Sequence, residues 1–191
     1  EVIYDNRLVG RLALTKEGLC AFEYSAEWLG SGFSISPFEL PLRSGVFIAK
    51  PRPFEGGFGV FDDCLPDGWG LLILDRYLQQ KGINPRTLTL LDRLALVGST
   101  GRGALEFRPD NSVITRKDYV DFEKLALEAE QILDSDDYRG EGIEEFQDRG
   151  GSPGGARPKI FVRYDNKEWL VKFRAKRDPH NIGCLLYTSP S

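Results

Sequence analysis

Histidine is almost missing from this chain: His180 is the only one in 191 residues. The three cysteines, Cys20, Cys64 and Cys184, lie far apart and have no histidines to join them. That spacing excludes a zinc site and a disulfide framework, and a reducing, cytoplasmic setting is the simplest expectation. His180 itself stands in Asp178-Pro-His-Asn181, a loop pattern, and reads as a surface residue without a catalytic role. No apolar run approaches the roughly 20 residues that cross a bilayer, and no signal-peptide pattern opens the chain. Charge of one sign is lacking too, with 25 basic against 29 acidic residues and a net charge of -4. Global attraction to nucleic acid is therefore excluded, and only a local basic patch could supply any. No internal repeat is evident.

What is present suffices for one good core or two small ones, since 41% of the residues are apolar. An α+β protein follows. Residues 2–4 and 8–14 alternate as strands around an Asp5-Asn6 turn, residues 19–24 resume the alternation, and residues 45–49 offer another strand. Pro66 and Asp67 mark a helix start, with Leu71, Leu74 and Leu78 as its apolar stripe and Gly82 as its stop. A short helix is predicted over about 87–96, closed by Gly98, then a strand over 104–107. Thr115 or Asp118 is the expected cap of a third helix that buries Phe122, Leu125, Ala126, Ala129, Ile132 and Leu133. From 134 to 148 seven acids face only Arg139, so an exposed or mobile connection is expected, with room for one turn at 143–147.

Chemistry is concentrated in Gly150-Gly-Ser-Pro-Gly-Gly-Ala-Arg-Pro-Lys159 and the two alternating runs after it, which end in Trp169-Leu-Val-Lys-Phe173. Glycine-dense backbone lets amides approach an anion, and a lysine anchored in the second strand, Lys172, can reach the same phosphates. Basic residues gather here: Arg157, Lys159, Arg163, Lys167, Lys172, Arg174, Lys176 and Arg177. Residues 158–164 and 168–173 read as a hairpin. A plainer reading stands beside this one: a glycine linker before an ordinary hairpin, with Lys172 snorkelling along it and Lys159 in solvent at the strand start. The loop departs from both G-x-G-x-x-G and G-x-x-x-x-G-K-[ST]. Asp62, Asp63 and Asp67 do not form a metal cluster on spacing alone, and Asp67 reads as a helix-start residue.

Leu8-Val-Gly-Arg-Leu12, Phe61-Asp-Asp-Cys-Leu-Pro-Asp-Gly-Trp-Gly70, Gly103-Ala-Leu105, Ser152-Pro-Gly-Gly-Ala-Arg-Pro-Lys159 and Trp169-Leu-Val-Lys-Phe173 occur in an order and spacing that resemble the amino-terminal half of a HipA-type serine/threonine kinase, the toxin of a bacterial toxin–antitoxin pair. The resemblance runs to about residue 183. It implies a small mixed amino-terminal subdomain over 1–108, a helix and acidic connection over 109–149, and the glycine-rich loop and hairpin of a protein-kinase-like N-lobe over 150–183, truncated before the helical C-lobe. Residues 184–191 resemble a translated sequencing adapter and are expected to be a non-native tail. Glu1, beside an extended run, is expected not to be the natural start.

By the same resemblance, ATP would be bound by Ser152, Gly154, Gly155, Ala156, Arg157 and Lys159 of the loop and by Lys172. Mg²⁺ would accompany the nucleotide in the complete protein, with no metal ligand and no catalytic residue in this portion. Ser152 matches a serine that some members autophosphorylate, which would set about -1.5 to -2 charge among the amides meant for ATP. The implied partners are a HipB-like helix-turn-helix antitoxin, through which DNA is contacted, and a protein substrate. The competing readings are an interaction module with a degenerate kinase lobe, and a small-molecule kinase.

Overall fold

In the computed structural model, which describes residues 1–112, 120–135, 138–150, 155–174 and 184–187, the first turn follows directly from its residues. Asp5 and Asn6 both take positive φ, 47° and 59°, as a two-residue hairpin turn requires and as short polar side chains tolerate. The turn joins β1 (Val2–Tyr4) to β2 (Arg7–Leu14), and β3 (Cys20–Tyr24), β4 (Val46–Ile48) and β5 (Leu105–Phe107) complete an antiparallel sheet of order β4-β3-β2-β1-β5. Helix α1 (Ala26–Ser31), capped by the Ser25 hydroxyl, and α4 (Leu90–Val97) pack on β2. Helix α2 (Gly59–Asp62) supplies Phe61 to the core. Thr89 and Asp92 close a reciprocal capping box on α4, and these bonds to Thr89 hold the Asp92 carboxyl below its usual range. Val2, Val9, Phe22, Tyr24, Trp28 and Phe61 form the centre of one apolar cluster, with the Phe22 ring edge-on to Tyr24 at 4.8 Å. Aromatic edges and faces meet there in the arrangement that ring quadrupoles favour.

The chain divides into two compact units, Glu1–Leu65 with Thr87–Ser112, and Pro66–Arg86 with Val113–Ser191. Residues 66–86, placed by the sequence reading within the first subdomain, therefore cluster with the second unit. There, α3 (Gly68–Gln80), α5 (Phe122–Asp134), α6 (Gly142–Gly150) and the antiparallel sheet β6 (Lys159–Tyr164), β7 (Lys167–Lys172) and β8 (Cys184–Tyr187) are arranged around Trp69, Ile73, Leu125, Ala129, Ile132, Ile143, Phe146, Ile160 and Val171. The whole is mixed α and β with antiparallel sheets and six α-helices among the described residues. Among the described residues no helix is long and apolar enough to cross a membrane.

Several expectations are corrected. Helix α3 buries Trp69, Ile73, Leu74, Arg76 and Leu78 and leaves Leu71 at the edge of that arc, 37% exposed. Arg76 is buried because its guanidinium donates to the Ile132 carbonyl. Helix α5 is capped by Asp121, whose carboxylate accepts the Lys124 N–H at 3.0 Å. Thr115 and Asp118 lie outside the described residues. Phe122 and Leu133, expected inside, are 45% and 37% exposed. The greatest departure is α6, which replaces the expected acidic connection. Ile143 and Phe146, three apart, are fully buried, and the acids are met by bases: the exposed Glu144 meets Lys81 at 2.7 Å, and the largely covered Glu145 meets Arg149 at 3.3 Å. The acidic count masked a two-residue anchor, since one helical face needs few apolar residues to dock.

Candidate functional site

The second hairpin repeats the chemistry of the first. Asp165 and Asn166 take φ of 52° and 55° and join β6 to β7. Register then fixes which side chains share a face, because residues directly opposed in an antiparallel pair point the same way. Ile160 opposes Val171 and Val162 opposes Trp169, and these pack into the apolar cluster. The other face carries three rungs: Lys159 with Lys172, Phe161 with Leu170, and Arg163 with Glu168. The pairing extends one bond further, from Phe173 N–H to the Pro158 carbonyl at 2.8 Å. Two lysines predicted separately from sequence thus stand on one rung, beside a half-buried apolar rung.

Lys159 is the less ordinary of the two. It is only 3% exposed, which overturns the reading of a solvated lysine at the strand start. Its ammonium donates to the Gly155 carbonyl at 3.0 Å. Burial first, and the Lys172 charge second, push the Lys159 amine below its usual value, while Asp67 opposes both. A buried ammonium opposite another ammonium is an unfavourable arrangement for a bare hairpin and a favourable one for receiving an anion. Lys172 is half-buried. Ala156 and Arg157 are exposed beside the root of the loop. Ser152 and Gly154, the other expected loop residues, lie outside the described residues, as does His180.

Gly155 is where the loop meets α3. It turns with φ of 96°. Its N–H donates to Asp67 Oδ1 at 3.1 Å, and its carbonyl accepts the Trp69 N–H at 3.1 Å as well as the Lys159 ammonium. Asp67 does occupy the helix-start position, yet its carboxylate makes no bond to the first turn of its own helix. Sequence reasoning stopped at the capping role and missed the loop contact. The available hint was Gly68, an awkward residue to open a helix unless another backbone must come close.

Neither described free cysteine is poised as a nucleophile. Burial raises the thiols of Cys20 and Cys64 to about 11, with the Asp63 charge adding to the effect on Cys64. Among the described residues no group of three or more His, Cys, Asp or Glu side chains stands ready for a metal ion. What the arrangement brings together is two like charges on one rung, a positive-φ glycine turn and a half-buried apolar rung beside them.

A search of curated proteins finds no match to this chain. Residues 1–108, more than half of the sequence, match the family model described as HipA N-terminal domain, and the chain therefore belongs to that family.

Proposed function

We propose that this chain is the amino-terminal, nucleotide-binding portion of a HipA-type protein serine/threonine kinase, the toxin of a toxin–antitoxin pair. ATP lies against the outer face of the second hairpin, its phosphates between Lys159 and Lys172 and its base toward Phe161 and Leu170. The glycine loop contributes Gly154, Gly155, Ala156 and Arg157 around the phosphates, and Ser152 is a candidate for regulatory phosphorylation. The observation carrying this reading is the single rung that opposes Lys159 to Lys172, with the Lys159 ammonium on the Gly155 carbonyl. Membership of the HipA N-terminal domain family supports the kinase assignment at the level of the family.

The residues then divide the work. Lys172 and Lys159 balance charge on the phosphates, and positive-φ Gly155 brings backbone close to them without a side chain in the way. Mg²⁺ would accompany ATP, held by one or two carboxylates together with the phosphates, and no step is assigned to the ion. Phosphoryl transfer also needs a carboxylate directed at the acceptor hydroxyl. No residue assigned here has that place, and the chain alone is expected to bind nucleotide without transferring phosphoryl. A HipB-like helix-turn-helix antitoxin supplies the contact with DNA, in keeping with the net charge of -4 on this chain. The setting is the cytoplasm, and the acceptor is a protein hydroxyl.

The test is equilibrium ATP binding by the chain and by Lys172→Ala. Removing a charge-assisted phosphate contact is expected to weaken binding by about tenfold or more. Equal affinity in the two proteins would overturn the reading.

A further inference from the structure

The loop's fixed end is built as a clasp. A residue opening a helix ordinarily turns its side chain onto the second or third amide of that helix. Asp67 instead reaches across 88 residues of sequence to accept the Gly155 N–H, while Trp69, two residues on, donates to the Gly155 carbonyl. Gly68, between them, takes φ of 46°, and a Cβ there would lie 2.7 Å from the Gly155 carbonyl carbon and 2.8 Å from its oxygen. Two positive-φ glycines therefore meet backbone to backbone. The same Gly155 carbonyl holds the Lys159 ammonium.

We propose that Asp67 is a positioning residue, which with Gly68 holds Gly155 so that Lys159 is aimed along the face it shares with Lys172. Its carboxylate acts twice, once as acceptor for the loop amide and once as the negative charge that helps keep a buried Lys159 protonated. The groups bearing on Lys159 are Lys172 from β7 and Asp67 from the start of α3. On α6, which packs against β6, Glu144 is bridged by Lys81 and Glu145 by Arg149. What the aimed ammonium binds rests on the polyphosphate reading above, but the clasp itself does not.

The experiment uses the isotope-labelled chain with and without inorganic tripolyphosphate, as wild type, Asp67→Asn, Asp67→Ala and Lys172→Ala. Without ligand, Asp67→Ala is expected to speed hydrogen exchange at the Gly155 amide and to lower the titration midpoint of the Lys159 ammonium. Asp67→Asn keeps an acceptor for Gly155, so exchange stays slow while the Lys159 midpoint still falls. With tripolyphosphate, Asp67→Ala is expected to bind about tenfold more weakly and Asp67→Asn to stay within about threefold of wild type, the span of one hydrogen bond. A purely helix-capping Asp67 would change thermal stability alone and leave exchange at Gly155 unmoved, which would overturn the proposal. If Asp67→Ala fails to fold, an unchanged Lys159 midpoint in Asp67→Asn overturns it instead. Tripolyphosphate affinity insensitive to Lys172→Ala would overturn the polyphosphate reading, and the ligand-free exchange at Gly155 would then decide the clasp.

Discussion

The two hairpins of this molecule are built on the same turn and end in opposite ways. Asp5-Asn6 and Asp165-Asn166 both reverse the chain with two positive-φ residues. Beyond the turn, the first hairpin closes on Val2, fully buried, opposite Gly10. The second closes on Lys159 opposite Lys172. Local turn chemistry is thus common to both, and the distinction lies in the last rung, where one hairpin finishes an apolar core and the other sets two like charges face to face. Like charges directly opposed in a sheet cost stability. On the function proposed above, the second hairpin tolerates that cost, where the glycine loop ends, in order to bind.

The strongest way to break the comparison is to remove what backs the second hairpin. Phe146 on α6 is fully buried, with its ring 5.1 Å from Trp69 and 5.6 Å from Phe173 in edge-to-face contact. Phe146→Ala is expected to cost about 4 kcal/mol, the usual result of deleting a core aromatic. Urea denaturation measures it. A cost near zero would return residues 134–148 to the status of a linker.

At the first hairpin the sensitive point is Gly10. A Cβ there would lie 2.3 Å from the Glu23 carbonyl oxygen and 2.7 Å from the Phe22 ring. Gly10→Ala is expected to cost about 3 kcal/mol through overpacking against backbone that cannot yield, again read by denaturation, with nucleotide affinity unchanged where the fold persists. Gly68→Ala comes next, at about 2 kcal/mol for a strained φ and a crowded Cβ. Unlike Gly10→Ala, it is expected to disturb the Gly155 amide, visible in the amide spectrum. The two glycine variants therefore separate a packing role from a positioning one.

These residues also indicate what the sequence disclosed. Strands were legible wherever period-two alternation met a polar turn, as at residues 2–14 and 158–173, because pairing there is dictated by neighbours in sequence. The lysine rung was half legible: Lys172 and Lys159 were each singled out, but that they oppose one another depends on the count of residues in the turn, and the burial of Lys159 depends on long-range packing. Helix α6 was hidden because acids dominate its composition while only Ile143 and Phe146 anchor it. The Asp67 clasp was hidden for a different reason. A capping aspartate and a loop-holding aspartate look the same until the partner 88 residues away is seen.

The smallest effect concerns the rung itself. Lys159 has its pKa lowered from 10.5 in the folded chain, by burial and then by Lys172. Well below both the folded and unfolded values, both states hold the proton and the full penalty of a buried charge acts against folding. As pH rises through the interval between the lowered folded value and 10.5, the folded state releases its proton while the unfolded state keeps it, so stability rises with pH across that interval. Lys159→Met deletes both the charge and this response. At neutral pH it is expected to stabilise the ligand-free chain by about 0.5–1 kcal/mol, the scale of a cross-strand charge pair. The difference between wild type and variant is expected to shrink as pH approaches 10.5, and thermal melts at several alkaline pH values measure it. The same variant is expected to bind polyphosphate less tightly, because the group that weakens the empty hairpin is the one that strengthens the filled one. A variant both less stable and unaltered in binding would remove the contrast between the two hairpins at its root.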